Sequence, residues 1–247
     1  MRALFVAAPA LAAGSLVFFS AASQEPIKSI GSYATPVGNR SSNQRHNAQL
    51  VLTKINGVRV APGETFSFND TVGPWSRDRG YRRAPVSFGG QLVDAWGGGV
   101  CQTSSTLYNA ALIAGMEVIE RHPHHYAPSY IQPGRDAAVA FPNIDLKFKN
   151  STLHEIEIHG KVAGGRLFIK ITSRGEKPTV AILQRPIQVT RPGQLDLALS
   201  GEKRYIRNPG KSGYEVETIR VISGRREFLS RDSYPMMNQI IDSRSAM

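Results

Sequence analysis

One cysteine in 247 residues sets the first limit on this chain. A single cysteine cannot form an intrachain disulfide, so the fold must rest on a buried apolar core. The composition allows one: 41% of the residues are hydrophobic and 8% aromatic. No polar tract is long enough to read as disorder. Cys101 is therefore a buried small hydrophobe, half of an intermolecular bridge, or a free reactive thiol. Its neighbours bear on the choice.

The first residues stand apart from the rest. Arg2 precedes the uncharged run ALFVAAPALAAGSLVFFSAA, and small residues at Ala21 and Ser23 suit cleavage. Residues 1–23 thus read as a signal peptide. The alternative is an uncleaved anchor, because the run matches the ~20 residues that cross a bilayer. Pro9 and Gly14 weaken it as a helix. Either way the remainder is expected outside the cytoplasm, in the periplasm or extracytoplasmic envelope. The net charge of +11 then points to an anionic envelope polymer as partner. Export argues against nucleic acid. Membrane contact is expected only through an uncleaved N-terminal segment.

Downstream, the apolar spacing of Ala48, Val51, Leu52 and Ile55 predicts a helix over residues 43–56, stopped by Asn56-Gly57. APGE at 61–64 is a turn, and TFSFN reads as a short strand. Residues 70–85 read as a loop carrying Arg77, Arg79, Arg82 and Arg83. After Gly97-Gly98-Gly99-Val100 a second helix begins at Cys101, with Leu107, Ala110, Ala111 and Ala114 on one face. Beyond it the pattern alternates as strands do: MEVIER, then around Ile144, Ile156 and Leu167, then a hairpin turning at Ser223-Gly224. The expected fold class is α+β, a cysteine-bearing helix packed on one antiparallel sheet, with a C-terminal β-hairpin extension. Pro186 and Pro192-Gly193 suggest a boundary, giving a main domain at 24–185 and a basic β-rich extension at 186–247.

A cysteine at a helix start meets unpaired backbone N–H groups and the positive end of the helix dipole. Both favour the thiolate, the form that attacks carbonyl carbon. The N–H groups of Cys101 and Gln102 are candidate oxyanion donors, with Gly99 shaping the backbone before them. The competing reading is a core cysteine behind a glycine turn. A thiolate also needs a proton partner, and RHPHHY places His122, His124 and His125 just past the strand that follows the helix. In an extended segment His122 and His124 share a face, so either could serve. Clustered histidines also bind zinc, but no further ligand motif lies nearby, so neither metal nor cofactor is expected. In PGRDA, Asp136 could orient a histidine and Arg135 could grip a substrate carboxylate. Ser104 and Ser105, one turn into the helix, are the other candidate substrate contacts. An ordinary turn with a surface ion pair explains PGRDA equally well.

Five segments, in order, resemble the VanW-domain family, named from vancomycin-resistance gene clusters: RHNAQLVLTKINGVRVAPGETFSFND, VGPWSRDRGYRRAPV, GGGVCQTSSTLYNAAL, ERHPHHYAPSYIQPGRDAAV and DLKFKN. They cover about residues 40 to 160, and GGGVCQTSSTLYNA is the most specific. Some members of the family are associated with cysteine-dependent L,D-transpeptidation of peptidoglycan. The resemblance implies Cys101 as nucleophile, His124 as its histidine and Asp136 as the aspartate of GRDA. His125 departs from the pattern, standing where a small polar residue is common. Two functions follow. One is an acyltransferase that works through a thioester on peptidoglycan stem peptides, or a carboxypeptidase or endopeptidase if water replaces the amine. The other is a non-catalytic envelope protein that binds stem peptides or the peptidoglycan glycan.

Overall fold

The computed structural model describes residues 25–88, 91–198 and 203–244. The export segment proposed at 1–23 lies outside them. Among the described residues 47% are in strands and 17% in helices, distributed over several small sheets. The expected α+β arrangement of a helix on one antiparallel sheet is therefore incorrect, and the molecule is mostly β. Much of the additional strand content carries no strong alternation of its own. It is fixed by pairing with partners remote in sequence.

In chain order the elements are β1 (Lys28–Pro36), α1 (Ser42–Ile55), β2 (Arg59–Val60), β3 (Thr65–Ser67), α2 (Phe68–Val72), β4 (Arg83–Phe88), β5 (Gln91–Trp96) and α3 (Val100–Ile113). Then follow β6 (Glu117–Glu120), β7 (Lys147–Lys149), β8 (Ile156–Ala163), β9 (Arg166–Ser173), β10 (Val180–Thr190), β11 (Gln194–Asp196), β12 (Lys203–Lys211), β13 (Gly213–Ile222), β14 (Arg225–Tyr234) and β15 (Met237–Arg244). The four-stranded sheet runs β1-β9-β8-β2, all antiparallel. Smaller sheets are β3-β7-β6, the β4-β5 pair, β10-β13-β14, and β11-β15-β12 with β11 parallel to β15.

The main core lies between the four-stranded sheet and the two long helices. Val51, Leu52 and Ile55 of α1 meet Leu107, Ala110 and Ala111 of α3, over Ile156 and Ile158 of β8 and Leu167, Ile169 and Ile171 of β9. Each fully buried Leu or Ile side chain stabilises the fold by about 1.5–3 kcal/mol. α1 starts at a capping box: Gln44 N donates to Ser41 Oγ at 3.2 Å and Ser41 N to Gln44 Oε1 at 3.1 Å.

α3 departs from the expected one-sided stripe, because it is buried on almost every face. It carries small polar residues inward and satisfies most of them on backbone. Ser104 Oγ donates to Ala137 O at 2.6 Å, and Thr106 Oγ1 to Gln102 O at 2.7 Å. β1 crosses it so closely that a Cβ at Gly31 would stand 2.5 Å from Ala110 O. Only glycine allows that approach.

β10 runs through Pro186, the expected boundary, with a register shift between Pro186 and Gln188. Such an irregularity accommodates a residue without an N–H. The sheet it forms with β13 and β14 docks on the end of α3: Arg220 Nη1 donates to Met116 O at 2.6 Å, and Gln184 Nε2 to Pro133 O at 2.5 Å. No helix of the described residues is long and apolar enough to cross a membrane.

Candidate active site

The glycines before Cys101 set the direction of α3. Gly99 caps the helix with φ 105°, and no side chain caps it. A Cβ on Gly99 would lie 2.4 Å from Gln44 O, so the start of α3 is pressed against α1. The N–H groups of Cys101 and Gln102 are in the first turn, where the helix offers them no acceptor. Cys101 is half-buried, and its Sγ donates to Val139 O at 3.4 Å in the thiol form.

Two backbone segments bring the histidine to this point. His122 bridges Ala138 in antiparallel fashion, with Ala138 N donating to His122 O at 2.8 Å. That pairing sets the residues after Arg121 beside those after Arg135. His124 Nδ1 then meets Asp136 Oδ2 at 2.6 Å, and the His124 backbone N–H donates to the same oxygen at 2.7 Å. The His124 ring lies on the same cleft as Cys101, and the two interact electrostatically. With Nδ1 committed to the carboxylate, Nε2 is the nitrogen left for the sulfur.

Asp136 is fully buried, and donors saturate it. Oδ1 accepts from Tyr234 Oη at 2.5 Å and from Arg121 Nη2 at 3.1 Å. Arg121 is held in turn. Its Nη1 donates to both oxygens of Asp232 at 2.6 Å, its Nε donates to Asp136 O at 2.6 Å, and its guanidinium lies 5.6 Å from the centre of the Tyr108 ring. Burial alone would raise the Asp136 pKa, but the His124 hydrogen bond, the Arg121 charge and the Tyr234 hydroxyl bring it below the usual carboxylate range.

Cys101 and His124 shift together. Burial pushes the thiol up, and the interaction with His124 outweighs it, so the thiol ionises below its ordinary range. Burial pushes His124 down, and its hydrogen bond to Asp136 and its interaction with Cys101 outweigh that, so its pKa is raised to about 10. The arrangement favours thiolate beside imidazolium.

The remaining residues singled out from the sequence are placed as follows. Gln102 is buried, and its Nε2 donates to Thr35 Oγ1 at 3.0 Å and Pro36 O at 2.7 Å. Ser104 and Ser105 are buried on Cys101 O and Ala137 O and pin the 137 segment to α3. Neither lines the cleft described below. Arg135 does not line it either. It is 8% exposed, its Nε donates to Asn109 Oδ1, and its guanidinium lies 5.4 Å from the centre of the Tyr33 ring. His122 faces outward and pairs with Glu120 Oε1 at 3.0 Å. His125 packs edge-on against Tyr126. Among the described residues no group of three His, Cys, Asp or Glu side chains is placed to hold a metal.

Four neighbours of the site carried no signal in the sequence. Arg121, Asp232 and Tyr234 hold Asp136, and Tyr130 donates to Cys101 O at 3.2 Å. Asp232 and Tyr234 lie about a hundred residues downstream in the β14 strand, where no local motif marks them. RHPHHY does contain Arg121, but as an ordinary basic residue.

Cys101 and His124 open on a cleft of about 860 Å³. One wall is Arg40, Gly97–Gly99 and Gln102; another is Tyr126, Pro128, Ser129 and Tyr130; the third comes from β12 and β15, through Arg207, Lys211, Met237 and Ile240.

A family described as "VanW like protein" matches residues 43–172. The chain is 39% identical to the uncharacterized protein YoaR of Bacillus subtilis strain 168 over 144 residues, 58% of this chain and 48% of that one. It is 33% identical to the vancomycin B-type resistance protein VanW of Enterococcus faecalis over 116 residues, 44% of this chain and 42% of that one. The chain thus spans less than half the length of these relatives. Among solved structures it is similar to the G5 domain of an IgA1 protease, at 18% identity and a TM-score of 0.19 over 29% of this chain and 96% of that one. It is also similar to HP0197-G5, at 16% identity and a TM-score of 0.16 over 27% of this chain and 99% of that one.

Proposed function

Because the chain belongs to the VanW-like protein family, we propose that it is an exported cell-wall-related protein that transfers acyl groups between peptidoglycan stem peptides, as a cysteine L,D-transpeptidase. One observation carries the reading: Cys101 and His124 share one cleft, and the His124 ring is hydrogen-bonded on its far side to the buried Asp136. The name of the Enterococcus relative supports the cell-wall setting.

In this mechanism the Cys101 thiolate attacks the carbonyl carbon that precedes a terminal D-alanine. The carbonyl oxygen becomes an oxyanion, and the N–H groups of Cys101 and Gln102 stabilise it. The His124 imidazolium gives its proton to the departing nitrogen. The C–N bond breaks, D-alanine leaves and a thioester remains. His124, now neutral, takes a proton from the side-chain amine of a second stem peptide as that amine attacks the thioester. A new amide forms and the thiolate returns. Asp136 keeps Nδ1–H in place through both steps and stabilises the imidazolium. Water in place of the amine gives hydrolysis from the same intermediate.

The test is incubation of the purified protein with disaccharide-tetrapeptide muropeptides, followed by mass spectrometry of the products. Dimers lacking one D-alanine are expected. Hydrolysed monomers alone would make it a peptidase, and unchanged muropeptides would remove the enzyme reading.

A further inference from the structure

The acyl-transfer chemistry leaves two cations of the cleft without a role. The cleft is lined by Arg40, Arg207 and Lys211, and by no aspartate or glutamate. Arg207 is already neutralised by Asp242 at 2.9 Å. Among the described residues Arg40 and Lys211 have no carboxylate partner.

Arg40 is the better defined of the two. Its Nε donates to Gln102 Oε1 at 2.8 Å, and its guanidinium lies 5.0 Å from the centre of the Tyr130 ring. Gln102 follows Cys101 in the chain, and Tyr130 Oη donates to Cys101 O. The two contacts that orient the guanidinium are thus both anchored to the nucleophile's own backbone. They use Nε and one face, and leave the two terminal NH₂ groups free. A half-buried guanidinium without an anion is costly, and its planar fork matches a carboxylate in bidentate fashion. Arg135, the arginine that the sequence pattern favoured for this task, has its Nε on Asn109 and lies outside the cleft.

We propose that Arg40 is the carboxylate-binding residue of the cleft, and that the ligand is an anionic peptide whose carboxylate lies one residue beyond the carbonyl facing Cys101. Lys211, on the β12 wall, adds a second positive charge of looser geometry. The position of the carbonyl rests on the acyl-transfer reading; the anion site does not. If the carboxylate is that of the terminal residue, the group Arg40 binds is the group that leaves, so Arg40 selects donors one residue longer than the product.

The test is calorimetric titration of the full chain carrying Cys101→Ala, which binds without reacting. Two synthetic stem tetrapeptides are compared: L-Ala-γ-D-Glu-L-Lys-D-Ala as the free acid, and the same peptide with a C-terminal carboxamide. A charge-assisted pair predicts about 10- to 100-fold tighter binding of the acid. Adding Arg40→Gln should abolish that preference, and Arg40→Lys should restore part of it. Adding Lys211→Gln should weaken both peptides, and more so at low salt. Equal binding of acid and amide, or no binding of either, overturns the proposal without need of any Arg40 variant. So does an Arg40→Gln effect of equal size on both peptides, which would make Arg40 only a support for Gln102. Failure of the acyl-transfer reading looks different: the protein with Cys101 intact binds the acid through Arg40 yet never forms a thioester.

Discussion

Tyr234 donates its hydroxyl to Asp136 Oδ1 at 2.5 Å, although the two residues lie 98 apart in the chain. Asp232 reaches the same aspartate through Arg121. Both come from β14, well beyond residue 172, where the family match ends. The C-terminal sheets are therefore part of the structure that holds the candidate triad, as well as one wall of its cleft.

Tyr234→Phe tests this directly. It removes one of two donors to Asp136 Oδ1 and leaves a buried carboxylate oxygen less well paired. A loss of about 1–3 kcal/mol in stability is expected, read as a lower midpoint in urea. Asp136 has its pKa depressed in the folded state, so its stability contribution is present above its unfolded value of 3.8 and is lost as pH falls through the lower folded value. With Tyr234→Phe the depression is smaller, so the acid-dependent loss should be smaller and should finish at a higher pH, its onset near 3.8 unchanged. An unchanged acid profile would show that the hydroxyl does not support Asp136.

His124→Ala should slow acylation of Cys101 by about 100- to 10,000-fold, the usual range for a lost general acid–base. His122→Ala and His125→Ala should change it little, because one pairs with Glu120 at the surface and the other packs on Tyr126. Parental acylation by His124→Ala would assign the proton transfer elsewhere.

The pH dependence follows from the two opposed shifts. Iodoacetamide alkylation of Cys101 should show its inflection below the ordinary thiol range, because His124 favours the thiolate. His124 has a folded pKa of about 10 against 6.5 unfolded. Its contribution to stability is complete below 6.5 and disappears as pH rises through about 10. Acylation, which needs the imidazolium proton for the leaving nitrogen, should fall on the alkaline side near pH 10. An alkylation inflection at or above the free-cysteine value of about 8.5 would contradict the ion pair.

Gly99→Ala probes the helix start. The residue has φ 105°, and an added Cβ would meet Gln44 O at 2.4 Å. The left-handed backbone alone costs about 1–2 kcal/mol, and the contact with backbone adds to it. Lower stability by denaturant titration should accompany slower acylation, since α3 must move away from α1 to relieve the contact.

What the sequence reveals of the site is local, and what it hides is remote. The glycines and Cys101 mark a helix start by backbone chemistry alone. The spacing offers His122 and His124 alike and Asp136 as an orienting residue, the resemblance implies His124, and the structure holds His124 on Asp136. Arg135 shows how such spacing misleads: its charge suggests a ligand, but Tyr33 and Asn109 come from other elements and bury it. Arg40 carries no signal in the sequence and gains its place through Gln102 and Tyr130. The fold class failed for the same reason. β1 and β12 pair with strands far away, and strands such as KSIGSYATP and KRYIRNPGK interrupt their alternation with glycine and proline.

The most direct test of the central claim is intact-protein mass spectrometry after brief incubation with a stem tetrapeptide, with and without a competing amine. The acyl-transfer account predicts a mass increase equal to the tetrapeptide less one free D-alanine, mapped by digestion to Cys101, absent in Cys101→Ser at matched times and discharged by the amine. A protein that binds the peptide but never gains this adduct at Cys101 would contradict it.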